Sequence, residues 1–575
     1  MKPARLAALI VLFLLPLFVR LWPIEHGLPR NYIPDSSVPR AALSMARDHE
    51  FAPPSGRYTQ YPNLLPYLLL PVYAAEYAAG KAAGKWQDSK SFGAHMLEQP
   101  EDAQLPARIL VALLGALTPF VVFKTARAAG MGRGAWIAAW LVGTCLLHTQ
   151  FSVQERPWVP MTFFLALAAW PAVLHARSGA IGQLVLAGLA AALSFAVHQG
   201  GLGALGLAGL AWALAPGGWK GTALWRRIGI GALCVGAFAL LALFAGYAQY
   251  LAHPARPTDN VILSDMVAKE GGFGVGSVSF VFQFRPESLV HLSRTLFGYD
   301  PLLVAFGLLG IWPAWKRREL RVPMIFLVVW AAVFMTNTSD HVRYLLPVAV
   351  LLALPAGLAA EGFLTTRMST AALGLLLCFP LVEVLRLDTL LVREDTRAEC
   401  EARLDALPES SLVALDFYGP EAELDRSSLY LLETLRNSKQ QPLRSREQHR
   451  KELFERGRLD GRDGVSAVRV EELFEMNARE RTLVVRDGLG PLGRDAASVL
   501  RTLHATHFLR VVRRGGEPAL LDALVAGKKP VWTIDPASGP AGTREAFLPT
   551  EMDFPLTALW SVSRPGPILE LYALE

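Results

Sequence analysis

The chain has 575 residues, 52% of them hydrophobic and only 18% charged, with a formal net charge of +6. That balance excludes one ordinary soluble domain, whose surface needs more charge and fewer unbroken apolar runs. The basic excess sits in short segments between apolar runs, so it is a topological signal and gives no support to nucleic acid as a partner.

Lys2 and Arg5 precede the apolar run Leu6–Trp22, which continues without a small-x-small cleavage site and is read as an uncleaved signal anchor. Arg20 lies one turn inside this run and is expected to snorkel to the headgroups. A polar loop, residues 25–106, follows. It holds Asp35 just ahead of an amphipathic stretch, Val38–Asp48, and then YPNLLPYLLLPVYAAEYAA at 61–79. With three prolines, Glu76 and four tyrosines, residues 61–79 are expected to form a juxtamembrane or re-entrant helix at the interface.

Spans are then predicted near 107–123, 134–150, 158–174, 181–198, 200–214, 228–250, 300–315, 322–337, 344–360 and 369–387. Each run is long enough, or nearly so, to cross a hydrocarbon core of roughly 30 Å as a helix. With the first span near 6–24 this gives about eleven. The short segments 1–6, 124–133, 175–180, 215–227, 316–321 and 361–368 hold fourteen Lys and Arg against only Glu319 and Glu361, which places them in the cytoplasm. The N-terminus is then cytoplasmic. The other face receives loop 25–106, the turns 151–157 and 338–343, the turn at His198, loop 251–299 and the tail.

Beyond Leu387 charge becomes dense. Apolar β-like runs at Ser411–Phe417, Thr482–Arg486, Phe508–Val512 and Ile568–Tyr572 alternate with helical patterns such as Ala422–Arg436 and Asp495–His504. Residues 388–575 are therefore expected to form an extracytoplasmic α/β domain. The four cysteines, Cys145, Cys234, Cys378 and Cys400, have neither disulfide nor zinc spacing.

The chemistry is expected where ionisable groups meet the membrane border on the outer side, because at that depth they are costly unless used or paired. Four turns far apart in sequence supply them: Asp35; Gln154, Glu155 and Arg156; His198; and Asp340, His341, Arg343 and Tyr344. A carboxylate can deprotonate an attacking hydroxyl, and cationic groups can hold a departing phosphate. Each also has an ordinary role. Asp35 can cap the helix that follows it, Glu155 can pair with Arg156, His198 can pack at the interface, and Arg343 with Tyr344 can anchor a helix end.

The loop with GLPRNYIPDS, the YPNLLPYLLLPVY segment, the basic turn Lys124–Arg133, the span ending AVHQGG and the segment DHVRYLLPVAVLLALPAG resemble a family of membrane enzymes. It is the family of protein mannosyltransferases and aminoarabinose transferases, which are GT-C fold glycosyltransferases fed by polyprenyl-phosphate sugars. The tail segments DTRAECEARLDALPESSLVALDFYGPE and RPGPILELYAL resemble the tails of bacterial members. The resemblance implies a GT-C-like polytopic domain over residues 1–387 in a bacterial inner membrane. It also implies inverting transfer from a polyprenyl-phosphate donor to an envelope glycan, lipid or protein. Asp35 matches the family's proposed base, and Arg343 matches the basic residue that approaches the lipid phosphate. His198, Glu155, Arg156, Tyr344 and His341 are expected to bind substrate. The chain departs from the pattern in having Ser36 where many relatives have a second acid, His198 where they often have Lys, and Glu155 in a shifted context. A divalent metal ion is the one cofactor the resemblance leaves open. The rival readings are a transporter or lipid flippase, and a membrane scaffold without catalysis.

Overall fold

A computed structural model describes residues 3–30, 32–33, 37–54, 57–59, 61–217, 220–253, 272–275, 278–281, 286–334, 341–438, 441–477, 482–486, 489, 493, 495–512, 521–537 and 554–574. Contacts divide the chain into two compact units. The first comprises Met1–Ile24, Asp35–Ser89 and Ala103–Asp388; the second comprises Glu25–Pro34, Lys90–Asp102 and Thr389–Glu575. The change at residue 388 falls where composition shifts. Two pieces of the first loop, expected to belong with the helices, group with the C-terminal residues instead.

In chain order the helices are α1 (Pro3–Leu21), α2 (Ser37–Asp48), α3 (Leu64–Ala82), α4 (Ser89–Glu98), α5 (Pro100–Ala128), α6 (Gly134–Gly143), α7 (Leu146–Ser152), α8 (Trp158–Ser178) and α9 (Ile181–Val197). There follow α10 (Gly203–Leu214), α11 (Gly221–Gly246), α12 (Gln249–Ala252), α13 (Pro286–Tyr299), α14 (Pro301–Lys316), α15 (Arg321–Phe334), α16 (Leu346–Gly362) and α17 (Arg367–Leu391). A short hairpin, β1 (Gly272–Val275) with β2 (Val278–Val281), lies between α12 and α13. Among the described residues, five helices are long and apolar enough to cross a membrane, and five shorter apolar helices of 10–17 residues accompany them. Residues 64–82 form one continuous helix through Pro71.

In this unit α8 packs on α9, α9 on α11, α14 on α16 and α16 on α6. These apolar helices approach closely through small residues. At Gly310 of α14 an added Cβ would lie 1.9 Å from the Pro355 carbonyl oxygen of α16, so any side chain there would force the pair apart. Dispersion contacts between closely packed helices hold such a bundle, since burial from lipid gives little hydrophobic gain.

The expected span 134–150 is not one helix. It breaks at Thr144–Cys145, where Cys145 is extended, and restarts as α7. A break in an apolar interior exposes carbonyls at the end of one helix and amides at the start of the next. Both sets are satisfied from a distance. Arg20 of α1 donates to the Gly143 carbonyl at 3.2 Å and to His148 Nδ1 at 3.0 Å. Asp300 accepts from the Leu146 amide at 2.9 Å, the Leu147 amide at 3.3 Å and the Cys145 thiol at 3.2 Å. A cation thus sits at a helix C-terminus and an anion at an N-terminus, each matched to the local dipole. The snorkelling expected of Arg20 is corrected: its side chain is fully buried, because the open end of α6 offers it acceptors inside the protein.

The second unit is built on a five-stranded sheet in the order β4-β3-β7-β9-β8, with β3 (Val413–Leu415), β4 (Ala467–Arg469), β7 (His507–Val512), β8 (Trp532–Ile534) and β9 (Ile568–Ala573). Strands β3, β4 and β7 run parallel, and β9 pairs antiparallel with both β7 and β8. Both faces are covered. Val413, Leu415, Leu509, Val511, Leu569 and Leu571 enter one apolar core, whereas Ala414, Phe508 and Tyr572 enter the other. That is the period of two expected of a sheet buried on both sides. The run at Thr482–Val485 forms strand β6 in a separate antiparallel pair with β5, Phe474–Asn477, outside the main sheet.

This unit also carries an ion-pair network. Arg30 meets Glu401 at 2.7 Å and Glu423 at 2.8 Å, and Glu423 also meets Arg446 at 2.9 Å and Arg450 at 2.6 Å. Burial alone would raise the Glu423 carboxyl. The guanidinium groups of Arg30, Arg450 and Arg446 outweigh it and hold the carboxyl below its ordinary range. A carboxylate depressed in the folded state adds stability that is present above its unfolded value, about 4.3, and is lost as pH falls through the folded value. The melting temperature of the C-terminal unit is therefore expected to drop as pH is lowered from about 5 to below 4. Glu423→Gln should lower it at neutral pH and flatten that dependence. Parallel pH curves for the two proteins, followed by circular dichroism, would contradict this.

Candidate functional site

The stretch from α7 through the first residue of α8 is rich in buried polar side chains. His148, Thr149, Gln150, Ser152, Gln154, Glu155, Arg156 and Trp158 are each at most 2% exposed. It follows the break described above, so the Arg20 and Asp300 contacts fix where this stretch begins.

Glu155 does not pair with its neighbour Arg156. Its Oε2 accepts from Arg108 Nε of α5 at 2.8 Å, and both side chains are wholly buried. Arg108 also donates to the Ile24 carbonyl at 2.9 Å and to Gln104 Oε1 at 3.4 Å. Taking two charges out of solvent costs several kcal/mol per ion, roughly, so the pair is held only because these further acceptors complete the guanidinium's bonding. Glu155 Oε1 has no hydrogen-bond partner among the described residues, which leaves one lone-pair face of the carboxylate unused.

Trp158 opens α8, His198 closes α9, and Arg343 and Tyr344 lie in the 3-10 turn Val342–Leu345 that leads into α16. Helices α8 and α9 form an antiparallel hairpin, so the start of one and the end of the other come together. Trp158 is the hub. Its ring centroid lies 4.1 Å from that of His198 and 5.2 Å from that of Tyr344, edge to face. The Arg343 guanidinium sits 4.9 Å from the Trp158 centroid and 5.8 Å from that of Tyr344. Cation–π contacts of this kind contribute about 0.5–2 kcal/mol, the upper end when desolvated. Here they also fix where the positive charge is. His341 stands beside Tyr344 at 6.0 Å, and Tyr61 packs on His198 at 5.4 Å.

The His198 ring is oriented by its own turn. Its Nδ1 accepts the Gly200 amide at 2.9 Å, so in the neutral ring the proton resides on Nε2. Nε2 is buried and has no partner among the described residues. Gly201 is needed for this turn, because a Cβ there would lie 2.2 Å from the Ser194 carbonyl oxygen. The Trp158 indole N–H is likewise buried with no described partner. A guanidinium, an imidazole N–H and an indole N–H therefore come from one aromatic stack. That donor-rich set is suited to an anion such as a phosphate oxygen.

Of the residues expected to form a site, His198, Arg343, Tyr344 and His341 are brought together. Glu155 and Arg156 lie on the segment that leads directly into Trp158. Asp35, with Ser36 beside it, and Asp340 lie outside the described residues. Among the described residues no group of three or more His, Cys, Asp or Glu could hold a metal ion. Sequence reasoning missed Arg108 and Trp158. A signal existed for Arg108, which is a lone cation at the start of a long apolar run. None existed for Trp158, which reads as an ordinary interfacial aromatic.

Residues 96–246 match the family model described as dolichyl-phosphate-mannose-protein mannosyltransferase, in agreement with the resemblance read from the sequence. The match contains Arg108, Glu155, Arg156, Trp158 and His198. No curated protein matches the chain. Among solved structures, ArnT from Cupriavidus metallidurans bound to undecaprenyl phosphate is similar at 14% identity and a TM-score of 0.46, covering 71% of this chain and 67% of that one. The archaeal oligosaccharyltransferase AglB from Archaeoglobus fulgidus, in complex with an inhibitory peptide and a dolichol-phosphate, is similar at 12% identity and a TM-score of 0.43, covering 89% of this chain and 69% of that one.

Proposed function

We propose that the chain is a membrane glycosyltransferase that moves a sugar from a polyprenyl-phosphate donor to an envelope acceptor on the extracytoplasmic face. The observation that carries this reading is the stack of Arg343, Trp158 and His198 where three apolar helices end, within or beside the region that matches the mannosyltransferase family. A cation and two neutral donors next to lipid suit a phosphate whose prenyl tail stays in the bilayer.

In the reaction proposed, an acceptor hydroxyl attacks the anomeric carbon from the face opposite the phosphate. Asp35 takes the hydroxyl proton, and a new C–O bond forms as the bond to the phosphate oxygen breaks. The phosphate leaves with the electron pair, so the configuration inverts. Arg343 neutralises the charge that develops on it, while the His198 Nε2–H and the Trp158 N–H donate to its oxygens. Phosphate is a good leaving group, so no strong general acid is required. Residues 388–575 form the extracytoplasmic α/β domain in this reading.

The test is turnover of a labelled polyprenyl-phosphate sugar by the purified full chain. Asp35→Asn is expected to lower the rate by about 10²–10⁴-fold, the usual contribution of a positioned base, with no change in melting temperature. A variant as active as the parent would remove Asp35 from the mechanism. A parent protein that releases no polyprenyl phosphate from any such donor would remove the transferase.

A further inference from the structure

Beside the aromatic stack lies a small cleft open to one side. It is lined by the segment around residues 53–63, by Gln199, and by Tyr247, Gln249 and Tyr250 at the end of α11 and the start of α12. It is continuous with the stack, since Gln199 directly follows His198 and Tyr61 packs on the His198 ring.

The lining has an unusual chemistry for a cleft next to an anion-binding arrangement. It contains tyrosines, prolines, a threonine and three amides, and no Asp, Glu, Lys, Arg or His. The amides are built in. Asn63 and Gln249 are 4% and 6% exposed, and Asn63 Nδ2 donates to Gln249 Oε1 at 3.1 Å. The Asn63 backbone amide is tied to the Gly246 carbonyl at 3.0 Å. This pairing uses one donor and one acceptor. Each amide keeps its other group, an acceptor on Asn63 and a donor on Gln249. Tyr247 and Tyr250 lie nearly parallel, with centroids 6.0 Å apart, and the Tyr247 hydroxyl is fixed by the Phe195 carbonyl at 3.2 Å.

Resting on the transferase reading, we infer that this cleft receives a neutral, hydroxyl-rich sugar ring. Aromatic faces suit the C–H face of a pyranose, and adjacent amide donors and acceptors suit vicinal hydroxyls, each of which donates and accepts. A phosphate or carboxylate would meet no cation in this lining, and an ammonium group no anion. The ring can come from the acceptor or from the donor's own sugar, and the two sources separate by experiment.

The experiment is saturation-transfer NMR on the full chain in lipid nanodiscs, with methyl α-mannoside, methyl α-glucoside and maltose as probes. Neutral glycosides are expected to show transfer. Gln249→Ala and Tyr250→Ala are expected to weaken it about ten-fold, as the loss of one hydrogen bond or ring contact does, while Tyr250→Phe keeps it. Melting temperatures verify that the variants fold. No transfer from any neutral glycoside would overturn the inference, as would signals that persist in both alanine variants. In turnover assays, a raised KM for acceptor alone assigns the cleft to the acceptor, and a raised KM for donor alone assigns it to the transferred sugar. Donor turnover that both alanine variants leave unchanged would remove the cleft and leave the transferase. Glycoside binding that needs the cleft residues, in a protein with no donor turnover, would remove the transferase and leave the cleft.

Discussion

Arg108→Leu is expected to destabilise the helical unit by about 3–5 kcal/mol, and adding Glu155→Leu is expected to restore most of that loss. The single change strands a fully buried carboxylate and removes the donor that meets the Ile24 carbonyl. The double change replaces two buried charges by apolar groups, which in buried settings is often neutral or better. Thermal unfolding of the purified protein, with expression level as a second reading, measures both steps. If the single variant melts with the parent, the carboxylate has another partner and the pair is not the support described. Turnover adds a further distinction. A double variant that is stable and active makes the pair purely architectural, whereas one that is stable and inactive gives Glu155 a part in the chemistry through its unused Oε1.

Arg343→Ala is expected to lower sugar transfer by about 10²–10³-fold with little change in stability, the usual loss when one group facing a developing negative charge is removed. Arg343→Lys should recover only part of this. An ammonium is a point charge, and it cannot lie flat over the Trp158 ring while presenting two parallel donors. Trp158→Ala should lower the rate less than Arg343→Ala does, because the cation survives but its placement does not. Labelled polyprenyl phosphate released per unit time, at saturating donor, reads all three. Equal activity of the lysine variant and the parent would show that charge alone matters and that the stack does not position it.

The apolar helices were legible because hydropathy is a local property. A run such as Ile181–Val197 carries no charged residue and needed no partner to be recognised. The break in the run 134–150 was not legible, because its causes are Arg20 and Asp300, the latter 154 residues away from the amide it receives. Nothing between Gly143 and Leu146 resembles a proline or a turn signal. The same limit applied to Glu155. Its neighbour in sequence was the natural partner on paper, yet Arg108 reached it from another helix. For the tail, strand periodicity located β3, β7 and β9, but pairing is a long-range property, and Thr482–Val485 left the main sheet for a partner of its own. His198 and Arg343 were singled out by residue type in turns at the expected membrane border. The tryptophan that joins them was not, since an indole in an apolar run carries no mark of what stacks on it.

The clasp of Asp300 on the first amides of α7 has a consequence for chimeras. A swap that moves residues 134–178 of this chain into a relative carries the helix start away from its anion, unless residue 300 goes too. Domain shuffling by contiguous blocks would then fail for a reason that no local alignment score reports. The smallest transplantable unit here is discontinuous: α7 with its lead into α8, the aspartate ahead of α14 and the arginine near the end of α1 must travel together.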